Sequence, residues 1–291
     1  FWRLRLLHHP NFAALAFCMS ASSFRSVLLV ASFVAGAGSE VCDSGAMPKL
    51  RVAMIRHGES ENNVLNLQGY EYYKKHRLAD PELTDKGREQ AAAVAAFLTS
   101  PPPLLPKIDR LVVSPMLRTL MTMESLAESL DVAPEVWPHV YETGGCHLSR
   151  DTVEGKPGMT AAEMRQRFPS YVVPEGLEDG WYDTSLGFET DDHAEERAAH
   201  TMERLRGIAA ELTENESMAM VMHHDFIDLL LRQCAGGIPT VADVPSGHFY
   251  KHYNCAMSLI DVHKDGRIQV LFTNKHDHMG ALVRYEFLGI V

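Results

Sequence analysis

Arg56-His57-Gly58-Glu59-Ser60 places a histidine and a guanidinium side by side at the end of the apolar run Arg51-Val52-Ala53-Met54-Ile55. That combination suits phosphoryl transfer. A neutral imidazole can attack phosphorus as a nucleophile, and an adjacent arginine can hold phosphate oxygens through parallel charge-assisted hydrogen bonds. Five residues alone equally describe an incidental surface pair, but two further segments repeat the layout. Leu111-Val112-Val113 runs into Ser114-Pro115, which reads as a helix cap followed by proline at the first helical position, with Arg118 in the opening turn. Met218-Ala219-Met220-Val221-Met222 runs into His223-His224-Asp225 and then a buried apolar helix. Ligands of open α/β sheets bind beyond the carboxyl ends of the strands, where helix N-termini present free N–H groups to anions. Arg56, His57, Arg118 and His223 can therefore converge.

The elements around these residues spell out an α/β fold. A helix is expected after Leu83, with Thr84 as cap, Asp85 at its positive end, and Ala91, Val94, Ala95 and Leu98 on one face. Pro101-Pro102-Pro103 should stop it. Met116, Leu120, Met123, Ala127 and Leu130 recur at helical spacing, so these methionines read as core filling. Glu189 to Leu212 reads as a third long helix whose charges form a solvated face. Asn254 to Val262 and Arg267 to Phe272, divided by Lys264-Asp265-Gly266, read as a β-hairpin. The sum is a three-layer α/β/α sandwich around a mainly parallel sheet, with the hairpin as its antiparallel part. The long insertion from Gly144 to Tyr182, carrying Trp181, suggests a partly ordered cap. Its Arg150 and Lys156 can touch substrate or be exposed loop charges. Lys74-Lys75-His76-Arg77 can bind a second anionic group or be a solvated basic turn.

In order along the chain, the motifs resemble branch 1 of the histidine phosphatase superfamily, the phosphoglycerate mutase-like proteins. The pieces are Arg56-His57-Gly58-Glu59-Ser60 with Asn63, Leu83-Thr84-Asp85-Lys86-Gly87-Arg88-Glu89-Gln90-Ala91, Ser114-Pro115-Met116-Leu117-Arg118-Thr119, Glu142 and His223, within about Lys49 to Met279. The resemblance implies that His57 becomes phosphorylated, that Arg56, Arg118 and His223 form the phosphate pocket, that Glu142 donates a proton, and that Asn63 adds a phosphate contact. Asn274 and His278 resemble a family segment that lies close to the site. One departure is visible. The residue after the second histidine is usually glycine and here is His224, which either narrows the pocket rim or faces solvent; His223 matches the family register. The Phe-x-Gly-Trp and Glu-Arg-x-Tyr-Gly stretches of the mutases are missing, with Gln68-Gly69-Tyr70 and Glu142-Thr143-Gly144-Gly145 in their regions. The implied activity is hydrolysis of a phosphomonoester through phosphohistidine, with a mutase as the alternative and an inactive protein-binding member as a third reading.

Composition sets the outer limits. The chain has 291 residues, 46% hydrophobic and 22% charged, with formal net charge −11. That charge argues against a nucleic-acid or anionic-membrane partner and leaves a small phosphorylated substrate to a local basic pocket. Oligomeric state is open. With 15 histidines in the chain, metal catalysis is the chemical rival. His276-Asp277-His278 could chelate and His223 and Asp225 could join, yet no H-E-x-x-H set is present, so neither a metal nor a cofactor is expected. Cys18, Cys42, Cys146, Cys234 and Cys255 show no C-x-x-C spacing, indicate no structural disulfide, and read as buried small hydrophobes rather than nucleophiles. Residues 1–47 read as a leader before a catalytic domain at 48–291: a signal or targeting segment, or a non-native extension. From Met19 the run Val27 to Val34 followed by Ala35-Gly36-Ala37 has the layout of a secretory signal peptide, too short to span a bilayer. From Met47 the chain would begin at the first strand and stay in the cytosol, the reading that the odd cysteine count of the domain favours.

Overall fold

The computed structural model describes residues 48–100, 105, 107–236 and 248–285. The leader, with Met19, Met47, Cys18 and Cys42, and Pro101-Pro102-Pro103 lie outside them. In chain order the elements are β1 (Lys49–Arg56), α1 (Glu61–Asn66), α2 (Tyr70–His76), α3 (Asp85–Thr99), β2 (Arg110–Val113), α4 (Leu117–Leu130) and β3 (Pro134–Val136). There follow α5 (Ala161–Arg167), α6 (Asp191–Glu211), β4 (Glu216–Met222), α7 (His224–Cys234), β5 (Met257–His263) and β6 (Ile268–Lys275). Short 3-10 turns at Thr184–Leu186 and Asp277–Leu282 complete the set.

The six strands form one sheet in the order β3-β2-β4-β1-β5-β6. The first four run parallel, and the β5–β6 hairpin is added antiparallel beside β1. Period-two alternation sorts the side chains into two cores. Ala53, Ile55, Leu111, Val113, Ala219 and Val221 pack with Val94, Leu98, Leu120 and Met123 of α3 and α4. Val52, Met54, Val112, Met218 and Met220 pack with Ala198, Met202 and Leu205 of α6 and Phe226 and Leu230 of α7. Helices therefore cover both faces, the three layers expected. A fully buried Leu, Met or Ile contributes about 1.5–3 kcal/mol, so both cores resist large-to-small changes.

Register brings the strand ends together. Arg56 pairs with Met222, and Val113 with Val221, so the residues that follow three adjacent strands leave the sheet at one edge. His57 N donates to Met222 O at 2.9 Å and Ser114 N to Val221 O at 3.1 Å, continuing the ladder one residue beyond the strands. β4 lies between β1 and β2; α3, which follows β1, packs on one face and α7, which follows β4, on the other, so the crevice opens between β1 and β4, where these connections diverge.

Thr84 caps α3 as read, its hydroxyl accepting from Gly87 N at 3.0 Å. Ser114 does not cap α4, whose cap residue is Met116; the Ser114 hydroxyl lies 2.7 Å from His223 Nε2 instead. A tertiary partner outweighs the local cap. The charges of α6 are also not all solvated. Arg197 is 5% exposed and forms a two-pronged pair with Glu189, Nε to Oε1 and Nη2 to Oε2 both 2.6 Å, beneath the sheet. The Gly144 to Tyr182 insertion is more closely packed than a partly ordered cap: Cys146, Met164, Phe168, Leu177, Trp181 and Tyr182 join the same core as α3 and α4.

Candidate active site

The loop that carries His57 is built by backbone contact. A Cβ on Gly58 would stand 2.4 Å from Gly87 O, and one on Gly87 would stand 2.0 Å from Glu59 O. Neither position admits a side chain without separating the loop from α3. Gln90 Oε1 accepts from Glu59 N at 2.7 Å, Thr84 Oγ1 donates to Glu59 Oε1 at 2.8 Å, and Thr122 Oγ1 accepts from Gly58 N at 3.0 Å. These contacts give the Thr84-x-x-Gly87-x-x-Gln90 spacing its physical purpose: the cap and first two turns of α3 hold the loop after β1.

His57 is 3% exposed, and its Nδ1 lies 2.7 Å from Gly58 O. A carbonyl only accepts, so Nδ1 carries the proton and Nε2 carries the lone pair. Arg118 Nε donates to that lone pair at 3.1 Å. Burial, then the charges of Arg118 and Arg56, hold the His57 pKa well below its ordinary value, so the ring is neutral at physiological pH. Arg56 donates from Nη1 to His252 O at 2.6 Å, while its buried Nε has no partner; burial lowers its pKa to about 10, which leaves it cationic. His223 is fully buried, its ring centroid 5.3 Å from that of His57, with Nε2 on Ser114 and Nδ1 sealed and unpartnered. Burial, then Arg118, keeps its pKa well down as well.

Glu142 stands at the start of α7. Its Oε1 accepts from Thr143 N at 3.0 Å and Phe226 N at 3.2 Å. Burial and then the Asp225 charge push its pKa well above the carboxylate range, against the pull of Arg118. Asp225 moves the other way. Burial opposes its ionisation, but hydrogen bonds from His224 (2.7 Å) and His248 (3.0 Å) prevail, and Thr143 Oγ1 adds a third at 3.1 Å.

A cavity of about 470 Å³ brings together Arg56, His57, Asn63, Arg118 and Glu142 of the residues read from the sequence. His223 lies behind His57 rather than on the cavity wall. Asn63 uses its Oδ1 to accept from Ser60 N (3.0 Å) and Asn254 Nδ2 (3.2 Å), bracing the loop, and lines the cavity as well. His224 does not face solvent: it is half-buried on the cavity wall, its ring against His248 at 4.7 Å. Lys74, Arg77 and Arg150 line the cavity, whereas Lys75, His76 and Lys156 do not. Asn274 Oδ1 accepts from Tyr253 N at 3.0 Å and His278 Nε2 lies 3.0 Å from Cys255 O, so both brace the loop behind Arg56 and His57.

Sequence reading missed the bracing set of Thr122, His252 and Asn254, whose Nδ2 donates to His57 O at 3.0 Å. Each is distant in sequence from His57, and no local pattern marks it. The triplet His276-Asp277-His278 does not form a ligand set; His276 and His278 each bind a backbone carbonyl. Among the described residues, His224, Asp225 and His248 alone bring three possible metal ligands together, their atoms within 4.8 Å of one another. Cys146, Cys234 and Cys255 are free thiols, each with its pKa raised by burial, which makes them poor nucleophiles.

The family model of the histidine phosphatase superfamily (branch 1) matches residues 52–275, the span that holds all of these groups. The chain belongs to that superfamily. Solved histidine-phosphatase-fold structures agree on the fold. A mycobacterial glucosyl-3-phosphoglycerate phosphatase complexed with VO3 is 21% identical, with TM-score 0.51, covering 78% of this chain and 99% of that one. An Entamoeba histolytica phosphoserine phosphatase in complex with 3-phosphoglyceric acid is 21% identical, TM-score 0.51, covering 79% and 99%. Bacillus stearothermophilus YhfR is 19% identical, TM-score 0.52, covering 79% and 99%. No curated protein matches the chain in sequence. Membership supports phosphatase chemistry on small phosphorylated substrates. No described helix is long and apolar enough to cross a membrane.

Proposed function

We propose that the protein hydrolyses a phosphomonoester through a phosphohistidine at His57, without a metal. The observation that carries this is the fixed tautomer: Gly58 O holds the proton on Nδ1, so the Nε2 lone pair faces Arg118 in the cavity. Substrate phosphate displaces the Arg118–His57 contact and takes both arginines as partners. His223 Nδ1, unpartnered and sealed behind His57 in the free protein, is the further donor once the bound phosphate shifts the His57 ring, its proton favoured by the incoming dianion. Nε2 attacks phosphorus, the bond to the leaving oxygen breaks, and that oxygen takes its proton from Glu142. The Glu142 carboxylate next takes a proton from water, whose oxygen attacks phosphorus while the P–N bond breaks. Phosphate leaves, and His57 and Glu142 return to their starting states. Charge in flight spreads over the phosphoryl oxygens, so the arginines act by preorganised electrostatics.

A mutase would pass through the same phospho-His57 and return the group to a second hydroxyl of retained substrate. The polar cavity wall and the absence of the mutase stretches favour water. With 3-phosphoglycerate and a trace of 2,3-bisphosphoglycerate, free phosphate should accumulate and 2-phosphoglycerate should not; rapid isomerisation with little phosphate would replace hydrolysis by mutase chemistry. His57→Ala should abolish both turnover and acid-labile labelling, whereas His224→Ala should retain most activity. Activity should survive EDTA and be inhibited by vanadate, which mimics five-coordinate phosphorus. Loss on chelation with recovery on added zinc would assign the His224, Asp225 and His248 group a catalytic ion instead.

A further inference from the structure

One phosphate needs Arg56, Arg118 and the two histidines behind them, yet the cavity carries more cationic side chains than that. Arg77 follows α2 and lines the same cavity. Among the described residues its guanidinium meets no carboxylate: its Nη1 donates to His147 Nε2, its Nε is sealed from solvent without a partner, and Tyr73 lies under it at 5.7 Å. His147 offers no counter-charge. Burial and then Arg77 push the His147 pKa down to about 4, and its Nδ1 is turned to Gly145 O at 3.0 Å, so Nε2 accepts as a neutral ring. A half-buried guanidinium with its Nε sealed and only a neutral acceptor beside it is costly unless an anion arrives to pair with it.

The surroundings of Arg77 share this excess. Arg150, on the facing cap segment, rests over the Phe188 ring at 5.5 Å. Among the described residues Lys74 pairs with Asp151 alone, at 3.5 Å and with both side chains exposed, where pairing is weak. In a chain of net charge −11 this local reversal of sign is not an average property of the surface. Arg77 hydrogen-bonds the cap rather than Arg56, His57 or Arg118, so its guanidinium is not engaged with the groups that hold the reacting phosphate, although the Arg118 charge reaches it. The cavity of about 470 Å³ falls within the range of about 300–1,000 Å³ typical of small-molecule sites, larger than one phosphate requires.

We propose that Arg77, with Lys74 and Arg150, forms a second anion subsite, and that the substrate is a phosphomonoester bearing another anionic group, a carboxylate or a second phosphate. The proposal rests on the phosphatase reading above. Arg77 supplies the specific contact, since its planar fork can take two oxygens at once, while Lys74 and Arg150 add charge.

Matched substrates test it. Glycerol 3-phosphate and 3-phosphoglycerate differ by a carboxylate, fructose 6-phosphate and fructose 1,6-bisphosphate by a phosphate, and p-nitrophenyl phosphate reports the chemistry alone. An added anion should raise kcat/KM at least about tenfold in one pair, and the responding pair tells carboxylate from phosphate. Arg77→Met should remove that advantage through KM, and Arg77→Lys should restore part of it. Absence of an advantage in both pairs overturns the subsite, as does an Arg77→Met loss equal for all substrates, p-nitrophenyl phosphate included. Calorimetry on His57→Ala protein, with and without Arg77→Met, reads the same affinity differences without turnover. An affinity advantage that depends on Arg77, together with no hydrolysis of any of these substrates by the wild-type protein, would keep the subsite and sink the phosphatase reading.

Discussion

At the scale of single residues, the proposed reaction rests on opposed protonation states, with His57 as its nucleophile and Glu142 as its acid. Burial and two guanidinium groups keep His57 neutral, while burial and Asp225 keep the Glu142 carboxyl protonated. The nucleophile is lost only as pH falls through a value well below 6.5. The acid is lost as pH rises through the Glu142 pKa, raised to about 7. Turnover should therefore hold below neutrality and decline above about pH 7. Glu142→Gln should slow alkyl phosphates by about 10²–10⁴ and remove the alkaline decline. p-Nitrophenyl phosphate, whose leaving group needs no proton, should lose far less. Rate–pH profiles of both proteins on both substrates check this, and an unchanged alkaline limb in the variant would remove Glu142 from the acid role.

At the scale of elements, the buried ion pair between Arg197 of α6 and Glu189 fixes the segment that carries Glu142. Arg197 Nη1 donates to His139 O at 2.7 Å and Tyr141 O at 3.1 Å, and its guanidinium lies 3.6 Å over the Tyr141 ring. Removing one partner strands a buried charge, which costs about 3–5 kcal/mol. Arg197→Met should accordingly lower the thermal midpoint by roughly 10 °C. Glu189→Leu added to it should recover part of the loss, because the stranded carboxylate is then gone too. Melting curves of the single and double variants decide; additive losses would show that the two side chains act separately.

At the scale of the whole molecule, a formal charge of −11 surrounds a recessed cationic cavity. The far field repels an anionic substrate, and attraction begins only near the mouth. Raising ionic strength from about 0.01 to 0.15 M shortens the Debye length from about 30 to 8 Å and screens the distant repulsion first. For a dianionic substrate kcat/KM should rise or stay level over that range. A steep fall, the signature of long-range attraction, would show that the basic rim dominates the approach.

The strand–His and strand–helix junctions were legible in the sequence because their signals are local. Short apolar runs, the Thr84 cap and the order of Arg56, His57, Arg118 and His223 each occupy a few consecutive residues, and β-strand register then carries the ends to one edge. Helical spacing likewise marked Leu120 and Met123 as core. What only the tertiary structure decided depends on contacts between distant segments. Ser114 reads as a cap until β4 delivers His223 to its hydroxyl, and Arg197 reads as a surface charge until Glu189 and Tyr141 enclose it. His224 reads as solvent-facing until His248 and Asp225 close around it. Arg77 is one charge in a basic turn until the cap brings His147 against it. A short motif states which groups are present, but the energy of a buried charge is set by what surrounds it, and in each of these cases the surroundings come from elsewhere in the chain.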